Sequence, residues 1–214
     1  MALNRLGHIV KRFLYSNAMG EMLITAENPA SGSIYLTFDD GPHPINTRRI
    51  LDILRSSGVR ATFFLSGEEL AKYPEIAPRY VQEGHTIANH GYFHERKRYT
   101  DRKSVEREFF QAQTEIERVC NVSPIYFRPP YGTLNFAVAK FSLRNRVPVV
   151  LWSVDSHDDG MKDAKRIMSS LETVVPGDIV LLHEDCSQMI DILEEWIRVR
   201  KETGMRFAPL GGMS

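Results

Sequence analysis

The feature that most limits what this chain can fold into is an alternation of two periods. From Ser33 onward, short apolar runs of strand length are separated by stretches whose apolar residues recur every three or four positions. Strands are predicted at Ile34–Phe38, Ala61–Leu65, Thr86–Asn89, Ile125–Phe127, Val147–Trp152, Ile179–Leu182 and Arg206–Pro209. Helices are predicted between them at Asn46–Ser56, Pro74–Glu83, Ser104–Val119, Leu134–Arg144, Lys162–Thr173 and Ser187–Glu202. Ile50, Ile53 and Leu54 line up on one helical face, as do Ile190, Leu193, Trp196 and Ile197. Strands separated by helices of this length pair in parallel through right-handed crossovers. The expected class is α/β, and about seven strand–helix units predict a closed or nearly closed (β/α) barrel. An open doubly wound sheet is the alternative.

Size and charge remove other classes. A chain of 214 residues suffices for one domain around one core. Lys and Arg (27) balance Asp and Glu (27), so no bulk field draws nucleic acid. Apolar runs such as Val147–Trp152 fall far short of the ~20 residues of a membrane-spanning helix. Cys120 and Cys186 are too few for a disulfide framework and are expected to be free thiols. Residues 1–30 read as a helical extension to a domain covering 31–214. There Leu3, Leu6, Val10, Phe13 and Leu14 share a helical spacing, with Arg5, Lys11 and Arg12 between them. This extension is expected to dock on the domain; peripheral contact with a membrane surface is the sharper alternative. It lacks the apolar stretch and cleavage site of a secretory signal. A cytoplasmic location is therefore expected, with the inner membrane face as the peripheral variant.

The polar residues indicate where chemistry lies. Asp39-Asp40, the pair His90 and His94, Arg128, the pair Asp155 and Asp158, and His183 each follow a predicted strand. In a parallel α/β barrel those strand ends share one face, where such folds build active sites.

In Thr37-Phe38-Asp39-Asp40-Gly41, two adjacent carboxylates end a strand. Neighbours on an extended strand point to opposite faces, so both serve one site only where the strand breaks. Gly41-Pro42 is the expected break. Such close carboxylates need a cation or an Arg between them; in isolation the pair would read as a solvated turn. His90 and His94 can chelate one metal if their segment coils after its strand. With Asp40 they make a two-His, one-carboxylate set that suits a Zn2+ hydrolase or a non-haem Fe2+ oxygenase. Arg128-Pro129-Pro130-Tyr131-Gly132 is a stiffened loop whose Arg can hold Asp39 ionised and whose amide can face an oxyanion. His183 is a candidate general acid, oriented by Asp158 or, as second choice, Asp155.

Taken in order, T-F-D-D-G at Thr37–Gly41, H-x3-H at His90–His94, R-P-P-Y-G at Arg128–Gly132, D-x-x-D at Asp155–Asp158 and L-L-H at Leu181–His183 make a specific set. The set resembles the motifs of the NodB-homology polysaccharide deacetylases, carbohydrate esterase family 4, over residues 33 to 210. The resemblance implies a distorted (β/α) barrel with fewer than eight strands, and hydrolysis of N-acetyl groups on amino sugars. It implies Asp39 as catalytic base, Asp40, His90 and His94 as metal ligands, and Arg128 as the partner of the base. It further implies that Tyr131 offers its backbone amide to the oxyanion, that His183 is the acid, and that Asp158 tunes it. Leu181 would line the place of the acetyl methyl, with Pro130 and Trp152 completing the substrate-facing set. One divalent metal is expected, Zn2+ first, with Co2+, Mn2+ and Ni2+ as alternatives. Two positions depart from the family pattern: Gly91 stands where Ser or Thr is usual, and Asp159 where Trp is usual.

Two other classes share part of this pattern. A non-haem Fe2+ oxygenase uses the same ligand trio but needs neither Asp39 nor His183, and generally rests on a jelly-roll β fold. A non-catalytic metal- or glycan-binding barrel would keep ligands without turnover. The expected partner is an N-acetylated glycan, whether polysaccharide, oligosaccharide or lipid-linked sugar.

Overall fold

The computed structural model describes residues 13–159 and 163–211. The strands are β1 (Leu23–Ile24), β2 (Ser33–Gly41), β3 (Thr62–Leu65), β4 (Thr86–Asn89), β5 (Val149–Val150), β6 (Val154–Asp155), β7 (Ile179–His183) and β8 (Arg206–Phe207). The helices are α1 (13–19), α2 (Asn46–Ser56), α3 (Gly67–Lys72), α4 (Pro78–Gln82), α5 (Arg102–Cys120), α6 (Phe136–Asn145), α7 (Ala164–Ser170) and α8 (Ser187–Glu202). Every described strand pair is parallel. The order is β4-β3-β2-β7-β6, with β8 beside β2 and β1 beside β5. Single parallel bridges, Asn89 to Phe127 and Phe127 to Val149, link β4 to β5. The fold is a distorted (β/α) barrel whose wall between β4 and β5 is held by those bridges instead of a full ladder.

Proline accounts for the distortion. The strand predicted at Ile125–Phe127 shrinks to the bridge at Phe127, because Pro124 precedes it and Pro129 and Pro130 follow. None of these can donate a ladder hydrogen bond. Pro148 likewise removes the start of Val147–Trp152, which is reduced to β5. The helix predicted over Pro74–Glu83 shortens to α4, which carries Pro78 in its first turn, and α3 is additional to the predicted helices.

The alternation along β2 sorts its residues. Ile34, Leu36 and Phe38 enter an outer layer with Val180, Leu182, Ile50, Leu54, Leu193 and Trp196, all buried. Each such side chain contributes about 1.5–3 kcal/mol of hydrophobic stabilisation, so α2 and α8 clamp this face of the sheet. On the other face, Tyr35 packs with Phe64, Ala88, Val150 and Ile179. The same period of two puts Thr37 and Asp39 on that inner face of β2, and Leu181 and His183 on that of β7.

The C-terminal part of the expected extension packs against the domain. Met19 and Leu23 are buried with Phe127, Val138, Val149 and Leu151, and β1 pairs with β5. Most of the predicted N-terminal helix, Leu3 to Val10, lies outside the described residues; Phe13 and Leu14 in α1 are exposed. No helix among the described residues is long and apolar enough to cross a membrane. Cys120 and Cys186 are both free and buried.

Candidate active site

The two carboxylates reach one cavity through a bulge at Asp40, not through the Gly41-Pro42 turn. Phe64 and Leu65 are consecutive on β3, but their partners on β2 are Asp39 and Gly41, so Asp40 is an extra residue. Its φ of 68° lies in the left-handed region, which Asp tolerates better than most residues. The inserted residue cancels the strand's alternation, and Asp39 and Asp40 both line the cavity.

His90 and His94 close on Asp40 from the loop after β4. Both Nε2 atoms lie 3.3 Å from Asp40 Oδ1, and the two rings stack with centroids 5.4 Å apart. Asp40 Oδ1 is buried and receives no hydrogen bond. One oxygen and two nitrogens thus converge, all within 4.8 Å of one another, and this donor set fits a single divalent cation. Burial opposes ionisation of Asp40, yet His90, His94 and His183 together hold its carboxyl well below the usual range. Burial lowers the His94 imidazole, against the pull of Asp40, which favours the neutral ring a metal requires.

The loop between the two imidazoles is anchored peptide by peptide. Gly91 N–H donates to Asn89 Oδ1 at 2.7 Å, and Gly67 N–H donates to the Gly91 carbonyl at 3.0 Å. Glu68 N–H (3.0 Å) and Ser66 Oγ (3.1 Å) donate to the Tyr92 carbonyl. Phe93 N–H donates to the buried Glu108 carboxylate at 3.0 Å. Backbone held this way has few alternative places to put its imidazoles.

Arg128 stands fully buried behind Asp39. Its Nη1 donates to Asp39 Oδ1 at 2.7 Å and to Thr37 Oγ1 at 2.8 Å; Nε and Nη2 donate to the carbonyls of Val150 (3.2 Å) and Leu151 (3.1 Å). The guanidinium also lies 4.0 Å over the Phe64 ring. Burial pulls its pKa down while Asp39 works against that, so the two charges support each other in a dry setting.

On β7, His183 is the register partner of Asp39. Its Nδ1 lies 2.6 Å from Asp158 Oδ1, and its backbone N–H donates to Asp158 Oδ2 at 2.9 Å. Ser156 Oγ donates to Asp158 as well, at 2.8 Å. Burial disfavours the charged ring, but Asp158, assisted by Asp39 and Asp40, outweighs it and raises His183 to about 10. Between the two candidate partners, the structure therefore puts Asp158 on the imidazole. Asp155 instead accepts a hydrogen bond from Trp152 Nε1 at 3.2 Å.

Asp39, Asp40, His90, His94 and His183 surround a cavity of about 240 Å3, which Leu181, Trp152 and Tyr131 also line. Tyr131, at φ 59°, packs its ring 4.2 Å from that of His94 and donates its hydroxyl to the His94 carbonyl at 3.2 Å. A Cβ at Gly132 would stand 2.6 Å from the Trp152 ring, so Gly lets the indole lie against this turn. Pro130 is buried, and the turn shows Tyr131 and Gly132 to the cavity. Asp159 lines the cavity where the family pattern has Trp, and aromatic surface comes from Trp152 and Tyr131.

Four residues of the site fall outside the sequence-predicted set: Thr37, Asn89, Arg96 and Glu108. Asn89 carries a signal, as a polar residue closing an apolar strand beside His90. So does Glu108, a carboxylate among the buried Val105, Phe109 and Ala112 of α5. Arg96, at the cavity's edge over the Tyr131 ring at 4.7 Å, is hidden in a basic run with Lys97 and Arg98.

Fold and site together define the class: a parallel (β/α) barrel with a candidate metal-ligand trio, an Arg-held carboxylate and an Asp-held imidazole around one cavity. The polysaccharide deacetylase family model matches residues 26–148, and the chain belongs to that family. It is 37% identical over 164 residues to the chitooligosaccharide deacetylase of Sinorhizobium fredii, covering 74% of this chain and 76% of that protein. It is 34% identical over 185 residues to a peptidoglycan-N-acetylglucosamine deacetylase of Bacillus cereus, covering 84% of this chain and 67% of that protein. The crystal structure of the Bc1960 peptidoglycan N-acetylglucosamine deacetylase, in complex with 4-naphthalen-1-yl-N-oxidanyl-benzamide, superposes with a TM-score of 0.85 at 31% identity. That match covers 91% of this chain and 94% of the other, and so extends beyond the family-model match, which stops at residue 148.

Proposed function

We propose that this protein is a metal-dependent N-deacetylase of amino-sugar glycans, with Zn2+ held by Asp40, His90 and His94. The observation that carries the reading is the placement of Asp39 and His183 as register partners beside the ligand trio, one held by a buried cation and the other by a buried carboxylate. A divalent ion bound by the trio supplies Lewis-acid polarisation of the acetyl carbonyl and a lowered pKa for water. Asp39, paired with Arg128, takes the proton of the attacking water. His183, kept charged by Asp158, gives a proton to the departing amine. The Tyr131 amide supports the developing oxyanion, and Leu181 lines the place of the acetyl methyl.

The names of the relatives support an N-acetylglucosamine-containing glycan, whether chitooligosaccharide or peptidoglycan. An oxygenase has no use for the Asp39–Arg128 and Asp158–His183 pairs, and a binding protein has no need to keep an acid and a base so held. Mass spectrometry of N-acetylated glycans after incubation with Zn2+-loaded protein tests the reading. The expected product is lighter by about 42 Da, acetyl replaced by hydrogen, and Asp39→Asn should lose it. Intact chitooligosaccharides, peptidoglycan fragments and lipid-linked sugars after exhaustive incubation would overturn the proposal.

A further inference from the structure

Gly91, the residue between His90 and the rest of the ligand loop, has φ 83°, and a Cβ built there would stand 1.9 Å from the Tyr99 hydroxyl. No real side chain fits against that oxygen without displacing it. The hydroxyl therefore occupies the space that a side chain at position 91 would otherwise fill. It also donates to the Phe93 carbonyl at 3.2 Å, one residue before His94. That carbonyl accepts a second hydrogen bond, from Glu95 N–H at 2.9 Å.

Tyr99 is itself firmly placed. It closes the 3-10 turn Arg96–Tyr99, is fully buried, and packs in the cluster of Val105, Phe109 and Phe127. Asn135 Nδ2 donates to its carbonyl at 2.7 Å, tying it to the start of α6. Gly91 N–H, the Gly91 and Tyr92 carbonyls and Phe93 N–H are held from β4, from α3 with the Ser66 before it, and from α5, as described above. The Tyr99 hydroxyl is the tie that reaches the last carbonyl before His94 from outside the loop.

We infer that Tyr99 is a positioning residue for the metal-ligand pair, its hydroxyl taking the place of a position-91 side chain and fixing His94 relative to His90 and Asp40. Gly91 and Tyr99 form one unit: the Gly exists to admit the hydroxyl, and the hydroxyl does the bracing that a side chain at 91 cannot. The inference rests on the metal reading of Asp40, His90 and His94. It predicts a role for a residue that touches neither metal nor substrate.

The test uses Tyr99→Phe, which keeps the ring and removes the oxygen. Co2+ titration followed by its visible absorption should show affinity weakened by roughly tenfold, the low end for loss of a group that orients ligands. Hydrogen exchange of amides 91–95 in metal-free protein should speed up, while exchange in α5 stays the same. Gly91→Ala should weaken Co2+ binding in the wild-type background and weaken it less in Tyr99→Phe, since the colliding oxygen is gone. Affinity and loop exchange within twofold of wild type in Tyr99→Phe would overturn the inference, as would an equal Gly91→Ala effect in both backgrounds. If wild-type protein binds no Co2+ at all, the metal reading falls, and exchange in residues 91–95 still decides the bracing role of Tyr99.

Discussion

Asp39 and His183 sit side by side as register partners on β2 and β7, and each is locked from behind by a buried group of opposite charge. Arg128 lies 2.7 Å from Asp39, and Asp158 lies 2.6 Å from His183. A carboxylate and an imidazole are thereby built into rigid strands, with neither able to turn away from the cavity.

The Asp39–Arg128 pair separates chemistry from stability. Both side chains are buried, at 4% and 0% exposure, so Arg128→Met would leave a carboxylate in the interior with no counter-charge. The expected cost is about 3–5 kcal/mol, read from chemical denaturation. Asp39→Asn keeps an acceptor for Arg128 and should cost much less stability, while acetate release falls by roughly 10²–10⁴-fold. An Arg128→Met protein as stable as wild type would show that the pair is not the buried ion pair its geometry indicates.

The alkaline limb of turnover should report His183. Its imidazole resists charge because of burial, but Asp158 overrides this and lifts it to about 10. In the proposed mechanism the charged ring is the acid, so activity should persist below that value and be lost as pH rises through it. Asp158→Asn removes the compensating charge and leaves burial unopposed. Its alkaline limb in a kcat–pH profile should move down by roughly one unit or more. A limb that superposes on the wild-type one would assign the acid elsewhere.

Much of this arrangement is legible in the sequence because strand ends and motif residues coincide. β4 spans the predicted Thr86–Asn89, and α2 and α8 span the predicted Asn46–Ser56 and Ser187–Glu202. These are elements whose period and burial agree. What escapes is set by tertiary register. The bulge at Asp40 appears only once β3 is aligned with β2, so two adjacent carboxylates facing one cavity point, in sequence, to a break at Gly41-Pro42. Tyr99 lies eight positions from Gly91, and nothing in the spacing shows that its hydroxyl fills the Gly's missing side chain. The shortened wall at Phe127 and β5 follows from prolines that the apolar pattern alone overrules.

Gly41 should tolerate no side chain, for reasons of space and not of backbone angle. A methyl there would stand 1.7 Å from Glu184 Oε1. Glu184 cannot swing aside: it is fully buried and accepts hydrogen bonds from Tyr80 Oη, at 3.0 and 2.9 Å, and from Thr47 Oγ1. Gly41→Ala should lose about 1–3 kcal/mol in thermal or denaturant unfolding, the usual cost of overpacking. In a Glu184→Ala background the same change should cost less, because the colliding carboxyl is gone. Strict additivity of the two substitutions would refute the contact.

Asp39 and Asp40 are neighbours, yet the bulge gives them different tasks, and metal-linked stability tells them apart. Asp40 Oδ1 faces two imidazole nitrogens at 3.3 Å, whereas Asp39 spends its Oδ1 on Arg128. Zn2+ at a hundredfold excess over its Kd should stabilise the protein by about 2.7 kcal/mol, or roughly 5–10 °C in thermal midpoint for a chain of this size. Asp40→Ala and His94→Ala should abolish that rise, because each removes a proposed ligand. Asp39→Asn should retain most of it while losing turnover, since a base is not a ligand. If Asp39→Asn loses the metal-dependent rise and Asp40→Ala keeps it, the roles of the two carboxylates are exchanged, and the bulge serves the opposite assignment.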